Sequence, residues 1–236
     1  NGSANIDGST LTVTPAADYN GDLTVNVIAS DGQASGSGSF TLIVNPVNDA
    51  PTLDDLSDAS VDEDNIYILE LSGADVDGDA LTFLASVDAN GSASIDGTTL
   101  SVIPNQDYNG DLIVNVIASD GQASGSGSFT LQVLPINDTP VLSLIDGQTI
   151  DEDTSLTLEL SASDVDGDAL SFSSSSGVVD GTTLTITPPE NYNGSDDVTV
   201  TVTDGDLSDS TVFTLTVNPV NDAPTLDDLA DAQVAE

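Results

Sequence analysis

The sequence predicts an all-β protein, a linear array of tandem seven-stranded Greek-key β-sandwich domains. Three observations carry that prediction. Short runs of alternating apolar residues recur along the chain, separated by clusters of Gly, Asn, Asp and Pro. About seven such runs fall within a stretch of ~88 residues, and the stretch repeats. No segment sustains a helical apolar period.

The middle copy shows the strands in order. Tyr67, Leu69 and Leu71 alternate with other residues, as do Leu81 and Phe83, then Leu100 and Val102. Leu112, Val114, Val116 and Ala118 alternate with Ile113, Asn115, Ile117 and Ser119, and Phe129, Leu131 and Val133 form the last set. Alternation puts one set on the core face and the other on the opposite face. The Tyr of each Tyr-Asn-Gly string (Tyr19, Tyr108, Tyr192) enters the strongest strand from a turn. That is the place of the tyrosine corner of immunoglobulin-type sandwiches, whose hydroxyl hydrogen-bonds the backbone. A sugar-stacking Tyr is the alternative.

The repeat register is set by Asn-Asp-x-Pro at Asn48–Pro51, Asn137–Pro140 and Asn221–Pro224, spaced by 89 and 84 residues. Asp-Val-Asp-Gly-Asp-Ala-Leu begins at Asp75 and Asp164, Asp-Glu-Asp at Asp62 and Asp151, and Asp-Gly pairs stand at Asp31, Asp120 and Asp204. The shorter spacing reflects a loop deletion between Phe172 and Val179. Residues 1–48 and 90–137 agree at 38 of 48 positions, which points to tandem duplication within a longer parent array. The expected divisions are the C-terminal part of one repeat (1–47), two whole repeats (48–136 and 137–220) and the start of a further repeat (221–236).

Composition excludes several function classes. The chain has 41 acidic residues and no Lys, Arg or His, for a formal net charge of −41. It has nothing with which to neutralise phosphates, so neither nucleic acid nor direct contact with an anionic membrane is expected. No apolar run approaches the ~18 residues of a membrane span. Cys is absent, so there is no disulfide or thiolate metal site. Without His, Lys, Cys or Arg, only paired carboxylates remain for catalysis, and no concave site is evident for them. No enzyme is expected. Like charges a few ångströms apart cost roughly 1–4 kcal/mol per pair. Clustered carboxylates therefore call for an external counter-ion, and an oxygen-only donor set favours Ca²⁺ or Mg²⁺.

The Asp-Val-Asp-Gly-Asp loop puts Asp75, Asp77 and Asp79 at alternate positions between two strands, and Asp164, Asp166 and Asp168 repeat it. It reads either as a solvated turn or as a metal-binding loop. It is not an EF-hand, because Gly78 is fourth in the loop and not sixth. The Asp-Gly pairs read alone as hairpin turns. The Asp62-Glu63-Asp64 cluster reads alone as edge-strand charge, and Asn-Asp-x-Pro as linker punctuation.

In combination these strings resemble the cadherin repeat. Val61-Asp62-Glu63-Asp64-Asn65 is followed by Ala74-Asp75-Val76-Asp77-Gly78-Asp79, then Phe83, then Ala118-Ser119-Asp120-Gly121, then Ile136-Asn137-Asp138-Thr139-Pro140. Order and approximate spacing match the family across the whole repeat. The chain especially resembles the bacterial cadherin-like tandem repeats of large secreted calcium-dependent adhesins. The resemblance implies a cadherin/Ig-like fold and Ca²⁺ between successive domains. For the junction after residue 136 it carries over Glu63, Asn137 and Asp138 from one side and Asp164, Asp166, Asp168 and Asp204 from the other. Asp107 substitutes for the family's Asp-Arg-Glu motif, which has no clean match. For the junction near residue 48 the set is Asn48, Asp49, Asp75, Asp77, Asp79 and Asp120, with Asp18 in the place of Asp107. Glu152, Asn221 and Asp222, with Glu190 a weak addition, form half a site.

The function implied is that of calcium-stiffened extender repeats of an extracellular, cell-surface bacterial adhesin of the kind that supports cell adhesion and biofilm. Two alternatives stand beside it: a subunit of a self-assembling extracellular filament or sheath, and a polysaccharide-binding or homophilic module. Expected partners are neighbouring repeats of the same chain, other copies of the protein, or cell-surface and matrix polysaccharide. Asn1, Asn90, Asn137 and Asn193 lie in Asn-x-Ser/Thr sequons, as chance allows in a Ser/Thr/Asn-rich chain.

Overall fold

The computed structural model describes residues 1–226, 231, 233 and 234. The other residues of the 221–236 segment lie outside the described residues. The chain forms two compact units, Asn1–Pro135 and Ile136–Glu236, and no helix occurs among the described residues.

Unit one opens with two hairpins. β1 (Gly2–Asp7) pairs antiparallel with β2 (Thr10–Pro15), and β3 (Gly21–Ser30) with β4 (Ser35–Val44). The sandwich follows, built from β5 (Thr52–Leu53), β6 (Ala59–Asp62), β7 (Tyr67–Glu70), β8 (Gly73–Ala74), β9 (Thr82–Ser86), β10 (Gly91–Asp96), β11 (Thr99–Pro104), β12 (Gly110–Ser119) and β13 (Ser124–Leu134). One sheet has the order β10-β11-β7 and the other β6-β13-β12-β9, while β5 pairs only with β8. The expected seven strands are those of the two sheets, and β5–β8 is a short addition. Alternation fixes the register. In β12, Leu112, Val114, Val116 and Ala118 are completely buried, and Val114 faces Phe129 of β13. The outward residues Ile113 and Ile117 stay exposed. Eleven buried residues form the core, each large apolar side chain contributing about 1.5–3 kcal/mol.

The hairpins β1–β2 and β3–β4 repeat the sequence of β10–β13 without their partner strands. Phe40 is 46% exposed where its counterpart Phe129 is 3% exposed. Burial of Phe129 therefore comes from the strands supplied by residues 48–89, not from its own hairpin.

Unit two repeats the sandwich with β14 (Val141–Leu142), β15 (Gln148–Asp151), β16 (Leu156–Glu159), β17 (Ala162–Ser163), β18 (Ser171–Ser174), β19 (Val178–Asp180), β20 (Thr183–Ile186), β21 (Gly194–Thr203) and β22 (Ser208–Asn218). Its sheets run β15-β22-β21-β18 and β16-β20-β19 over a second eleven-residue core. The five-residue deletion falls mostly on the strands, β18 and β19 having four and three residues where β9 and β10 have five and six, while the connection between them loses one.

The tyrosine corner holds in two copies of three. The Tyr19 hydroxyl donates to Asp22 O at 2.9 Å and Tyr108 to Asp111 O at 3.1 Å. In the third, Tyr192 donates to the side chain of Asp196 at 2.6 Å, not to backbone. Tyr192-Asn-Gly is followed by Ser195 and then Asp196-Asp197, so a carboxylate outcompetes the carbonyl. That hydrogen bond, with some burial, raises the Tyr192 phenol above its ordinary value of 10.0.

Candidate metal site

Each Asp-x-Asp-Gly-Asp loop is folded by its first carboxylate. In unit one, Oδ1 of Asp75 accepts the N–H groups of Asp77 at 2.9 Å and Asp79 at 3.3 Å. Gly78 adopts a positive φ of 82°, a conformation costly for any side chain with a Cβ. In unit two, Oδ1 of Asp164 accepts Asp166 and Asp168 N–H at 3.0 and 3.3 Å. The turn reading of the loop is thus correct, but it uses only one oxygen. The other oxygens, Oδ2 of Asp75 and Oδ2 of Asp164, are buried and have no hydrogen-bond partner. A buried carboxylate oxygen without a partner is costly. In unit two, Asp164, Asp166 and Asp168 each offer an oxygen within 4.8 Å of the others.

The Asn-Asp-x-Pro segment is tied to that loop and to the Asp-Gly turn by the same pair of bonds in both units. Asp49 N–H donates to Oδ2 of Asp77 at 2.8 Å, and Asp138 N–H to Oδ2 of Asp166 at 2.8 Å. The Asn48 amide donates to Oδ2 of Asp120 at 2.8 Å, and the Asn137 amide to Oδ2 of Asp204 at 3.0 Å. Gln122, absent from the expected set, donates to Oδ1 of Asn48 at 2.9 Å. Asp120 and Asp204 also close the hairpin turns that follow them, so turn and tether are one device. Oδ1 of Asp120 takes the N–H groups of Gln122 and Ala123, both at 2.6 Å. Hydrogen bonds from Ala123 N–H, the Asn48 amide and Gln122 N–H hold the Asp120 carboxyl below its ordinary 3.8. Leu207 N–H, the Asn137 amide and Asp206 N–H do the same for Asp204. Asp31, with the turn but no Asn tether, is lowered by Ala34 and Gln33 N–H.

Asp18 reaches this region in unit one. A cavity of about 280 Å³ is lined by Asp18, Asp49 and Asp77 together with Tyr19, Asn20 and Pro46. Three of the seven residues expected at that junction therefore share one cavity. Asp18 and Asp107 have φ of 59° and 54°, and Asn191 at the same offset has 59°. Asp and Asn are the non-glycine residues that best tolerate this left-handed conformation. The backbone thus supplies its own reason for Asp at these positions.

Glu63 and Glu152 are the two buried charged residues among the described residues. Glu152 accepts Val220 N–H at 2.6 Å and the Asn193 amide at 3.2 Å, so both of its oxygens serve as acceptors. Asp107 N–H donates to Asp64 at 3.1 Å, bringing together the Asp-Glu-Asp turn and the turn before Tyr108. Asp64 is absent from the expected set. The signal for it was its place in a Asp-Glu-Asp string that recurs at Asp151, where Asp153 accepts Asn191 N–H at 2.9 Å. Asn221 and Asp222 are exposed, and the Asn221 amide donates to Asp222 O. The donor set is carboxylate and amide oxygen throughout. It fits a hard divalent cation, and the unpartnered oxygens of Asp75 and Asp164 are where it fits best.

The family described as bacterial Ig domain matches residues 48–133 and 137–218. Chitinase A of Pseudoalteromonas piscicida is 31% identical over 201 residues, 76% of this chain and 23% of that protein. The chain thus spans about a quarter of the curated relative it matches. Mouse protocadherin-24 EC1-3 superposes with a TM-score of 0.53 at 13% identity, covering 93% of this chain and 86% of that one. Drosophila N-cadherin EC1-4 does so with 0.50 at 17% identity, covering 92% and 63%. These likenesses show the sandwich fold.

Proposed function

The chain belongs to the bacterial Ig domain family, and on that premise we propose that its cadherin-like repeats are calcium-stiffened extender modules of an extracellular bacterial adhesin. The observation that carries the reading is the buried, unpartnered Oδ2 of Asp75 and of Asp164, each in a loop already tied to an Asn-Asp-x-Pro segment. Ca²⁺, when bound, would supply positive charge, and the oxygens that coordinate it would come from the chain. The chain supplies the rest. Asp75, Asp77 and Asp79 hold ligand oxygens on a loop whose shape is fixed by backbone hydrogen bonds. Asp49 and Asn48 fasten the linker to that loop and to Asp120. Asp18 faces Asp49 and Asp77 from the preceding repeat. Asp107, Glu63, Asn137, Asp138, Asp164, Asp166, Asp168 and Asp204 are the proposed set one repeat further on, and Glu152, Asn221 and Asp222 the next. Left bare, these carboxylates repel and loosen the linker. Extracellular modules of this kind bind at about 10⁻⁴–10⁻³ M, a range matched to the outside medium.

Calcium titration by calorimetry, with melting in excess Ca²⁺ and in chelator at matched ionic strength, tests the reading. A native-state ligand adds about 2.7 kcal/mol per site at a hundredfold excess over its Kd. Heat of binding with a raised Tm supports the proposal, and no heat with equal Tm values refutes it. A second reading rests on the 31% identity to a chitinase. There the repeats are non-catalytic spacers in a larger carbohydrate-active protein, and the same metal chemistry stiffens them.

A further inference from the structure

Five Asn-Gly steps occur in the chain, at Asn1, Asn20, Asn90, Asn109 and Asn193. An Asn followed by Gly loses its amide spontaneously where the fold permits, because glycine has no Cβ to shield the peptide nitrogen between them. That nitrogen gives up its proton and attacks the Asn Cγ. The new C–N bond closes a five-membered succinimide and ammonia leaves. Water then opens the ring to aspartate or to isoaspartate, whose main chain is longer by a carbon. Two conditions govern the first step. The glycine N–H must be free of a hydrogen bond, and the Asn side chain must be free to turn.

Antiparallel pairs alternate between those that exchange both backbone hydrogen bonds and those that exchange none, so one observed bond fixes the parity of a ladder. Asp31 N–H donates to Ala34 O, and Asp204 N–H to Leu207 O. Stepping down those ladders in twos puts Gly21, opposite Val44, and Gly194, opposite Val217, on hydrogen-bonded pairs. Gly110, opposite Val133 in the equivalent register, is the third of this kind. Their N–H groups are held by the neighbouring strand. The Asn193 side chain is held as well, by Oε2 of Glu152 at 3.2 Å. β10 has the other parity. Asn105 N–H donates to Asn90 O at 2.8 Å, so Gly91, opposite Pro104, falls on a pair that exchanges no bonds. Pro104, which has no N–H to give, fits that place for the same reason. The Gly91 N–H therefore points away from β11, and β10 is the outer strand of its sheet with no paired strand on that side. Asn90 is exposed, and its side-chain amide has no hydrogen bond among the described residues. Its own N–H donates to Oδ1 of Asp88 at 3.0 Å and holds the turn. Asn1-Gly2 repeats the pairing, with Ala16 N–H on Asn1 O at 3.0 Å and Gly2 opposite Pro15.

We propose that Asn90 is a site of spontaneous deamidation through a succinimide, while Asn20, Asn109 and Asn193 are preserved by their ladders. The reaction needs water alone and no enzyme or metal. A ladder-held step reacts only when its pair opens, so the population of the open form sets its rate. Asn90 needs no such opening. The product adds one negative charge to a chain that has no basic residue. Isoaspartate also lengthens the main chain beside the carbonyl that takes Asn105 N–H, which loosens the start of β10. The change runs one way, so the converted fraction rises with the age of the molecule.

Hydroxylamine tests this, because it cuts Asn-Gly through the same succinimide by attacking the ring carbonyl and freeing the glycine nitrogen. The chain is treated in native buffer and, separately, in concentrated urea with chelator, and the fragments are weighed by mass spectrometry. In native buffer the first products should be residues 1–90 and 91–236, ahead of cuts after Asn20, Asn109 or Asn193 by about tenfold or more. In urea those four steps should be cut at similar rates. Protein aged in native buffer without the reagent should gain isoaspartate at residue 90. Asn90→Gln, whose amide would have to close a larger ring, should be spared in native buffer with its melting unchanged. A native chain cut equally at the four steps, or first at Asn109 or Asn193, overturns the proposal. So does a native chain left whole at Asn90 while urea opens every step to the reagent.

Discussion

Replacing Asp75 with Asn separates a metal loop from a solvated turn, because the two predict opposite signs in two solutions. An Asn side chain still offers one carbonyl oxygen to the N–H groups of Asp77 and Asp79, which the Asp75 carboxylate now holds at 2.9 and 3.3 Å. It replaces the unpartnered buried oxygen with a neutral amide. In chelator the variant removes the repulsion of Asp75 by Asp77 and Asp79, about 1 kcal/mol for each pair at the solvated end of the Coulomb range. Each ~1 kcal/mol so gained raises Tm by about 4–8 °C for a domain of this size. In excess Ca²⁺ the variant has lost a charged ligand, and up to about 2.7 kcal/mol of linkage stabilisation goes with it at a hundredfold excess over Kd. The sign of the Tm change should therefore invert between chelator and calcium, as read by calorimetry. Asp164→Asn repeats the experiment in unit two, where the same oxygen is unpartnered. A shift of the same sign in both solutions refutes the metal reading and leaves the loop a turn.

Three further outcomes are expected. Hydrogen bonds hold the Asp120 carboxyl below its ordinary 3.8, so it contributes stability that is complete above that value and is lost as pH falls through the lower folded value. The Tm difference between the parent and Asp120→Asn, in chelator, should thus close on acidification below 3.8, and a gap constant with pH contradicts the assignment. Gly125→Val, whose Cβ would meet the Pro51 carbonyl, should destabilise the middle sandwich by about 1–3 kcal/mol through overpacking, while Gly36→Val, with nothing within 4 Å, leaves melting unchanged, and equal effects would contradict this difference in packing. Trypsin should not cut the chain even unfolded, for want of Lys and Arg. A protease that cuts at apolar residues should, after chelation, cleave first at 53–56 and 141–145. Early cuts within Leu112–Ala118, read by mass spectrometry, would show that the sandwiches melt before the linkers.

The strands were legible because alternation and turn residues agree with one another along each repeat. Leu112 to Ala118 alternate in the sequence and are buried in the fold for one reason, the pleat. The tethers were half legible. Asp77 and Asp120 stood out as repeated acids, but their tethering donors are the Asp49 backbone N–H and the Asn48 amide, and Gln122, which donates to Asn48, had no pattern to mark it. Asp64 escaped notice because an acid at a strand end reads as solvated charge. Its φ of 59° and its bond from Asp107 N–H are set by tertiary contacts, which no local string records. The Tyr192 contact differs because, at unchanged spacing, Ser195 stands where Asp111 stands and Asp196 where Leu112 stands, which puts a carboxylate within reach of the hydroxyl.

A carboxylate that builds a turn and one that binds a metal are often treated as rival readings of the same Asp. At Asp75 and Asp164 the two oxygens divide the work. Oδ1 accepts two backbone N–H groups and fixes the loop before any ion arrives. Oδ2 is left buried and unsatisfied. That division has a consequence for binding, because a loop held in shape beforehand loses little conformational entropy when an ion is bound. The cost is borne by the ion-free protein as like-charge repulsion. A chain with 41 acids and no basic residue cannot relieve that repulsion from within. Its stability in chelator should therefore rise with monovalent salt by screening alone, whereas in calcium, with the charge already neutralised at the loops, added salt should do much less. Melting against salt concentration in the two solutions measures the difference, and equal slopes would show that calcium neutralises nothing at these loops.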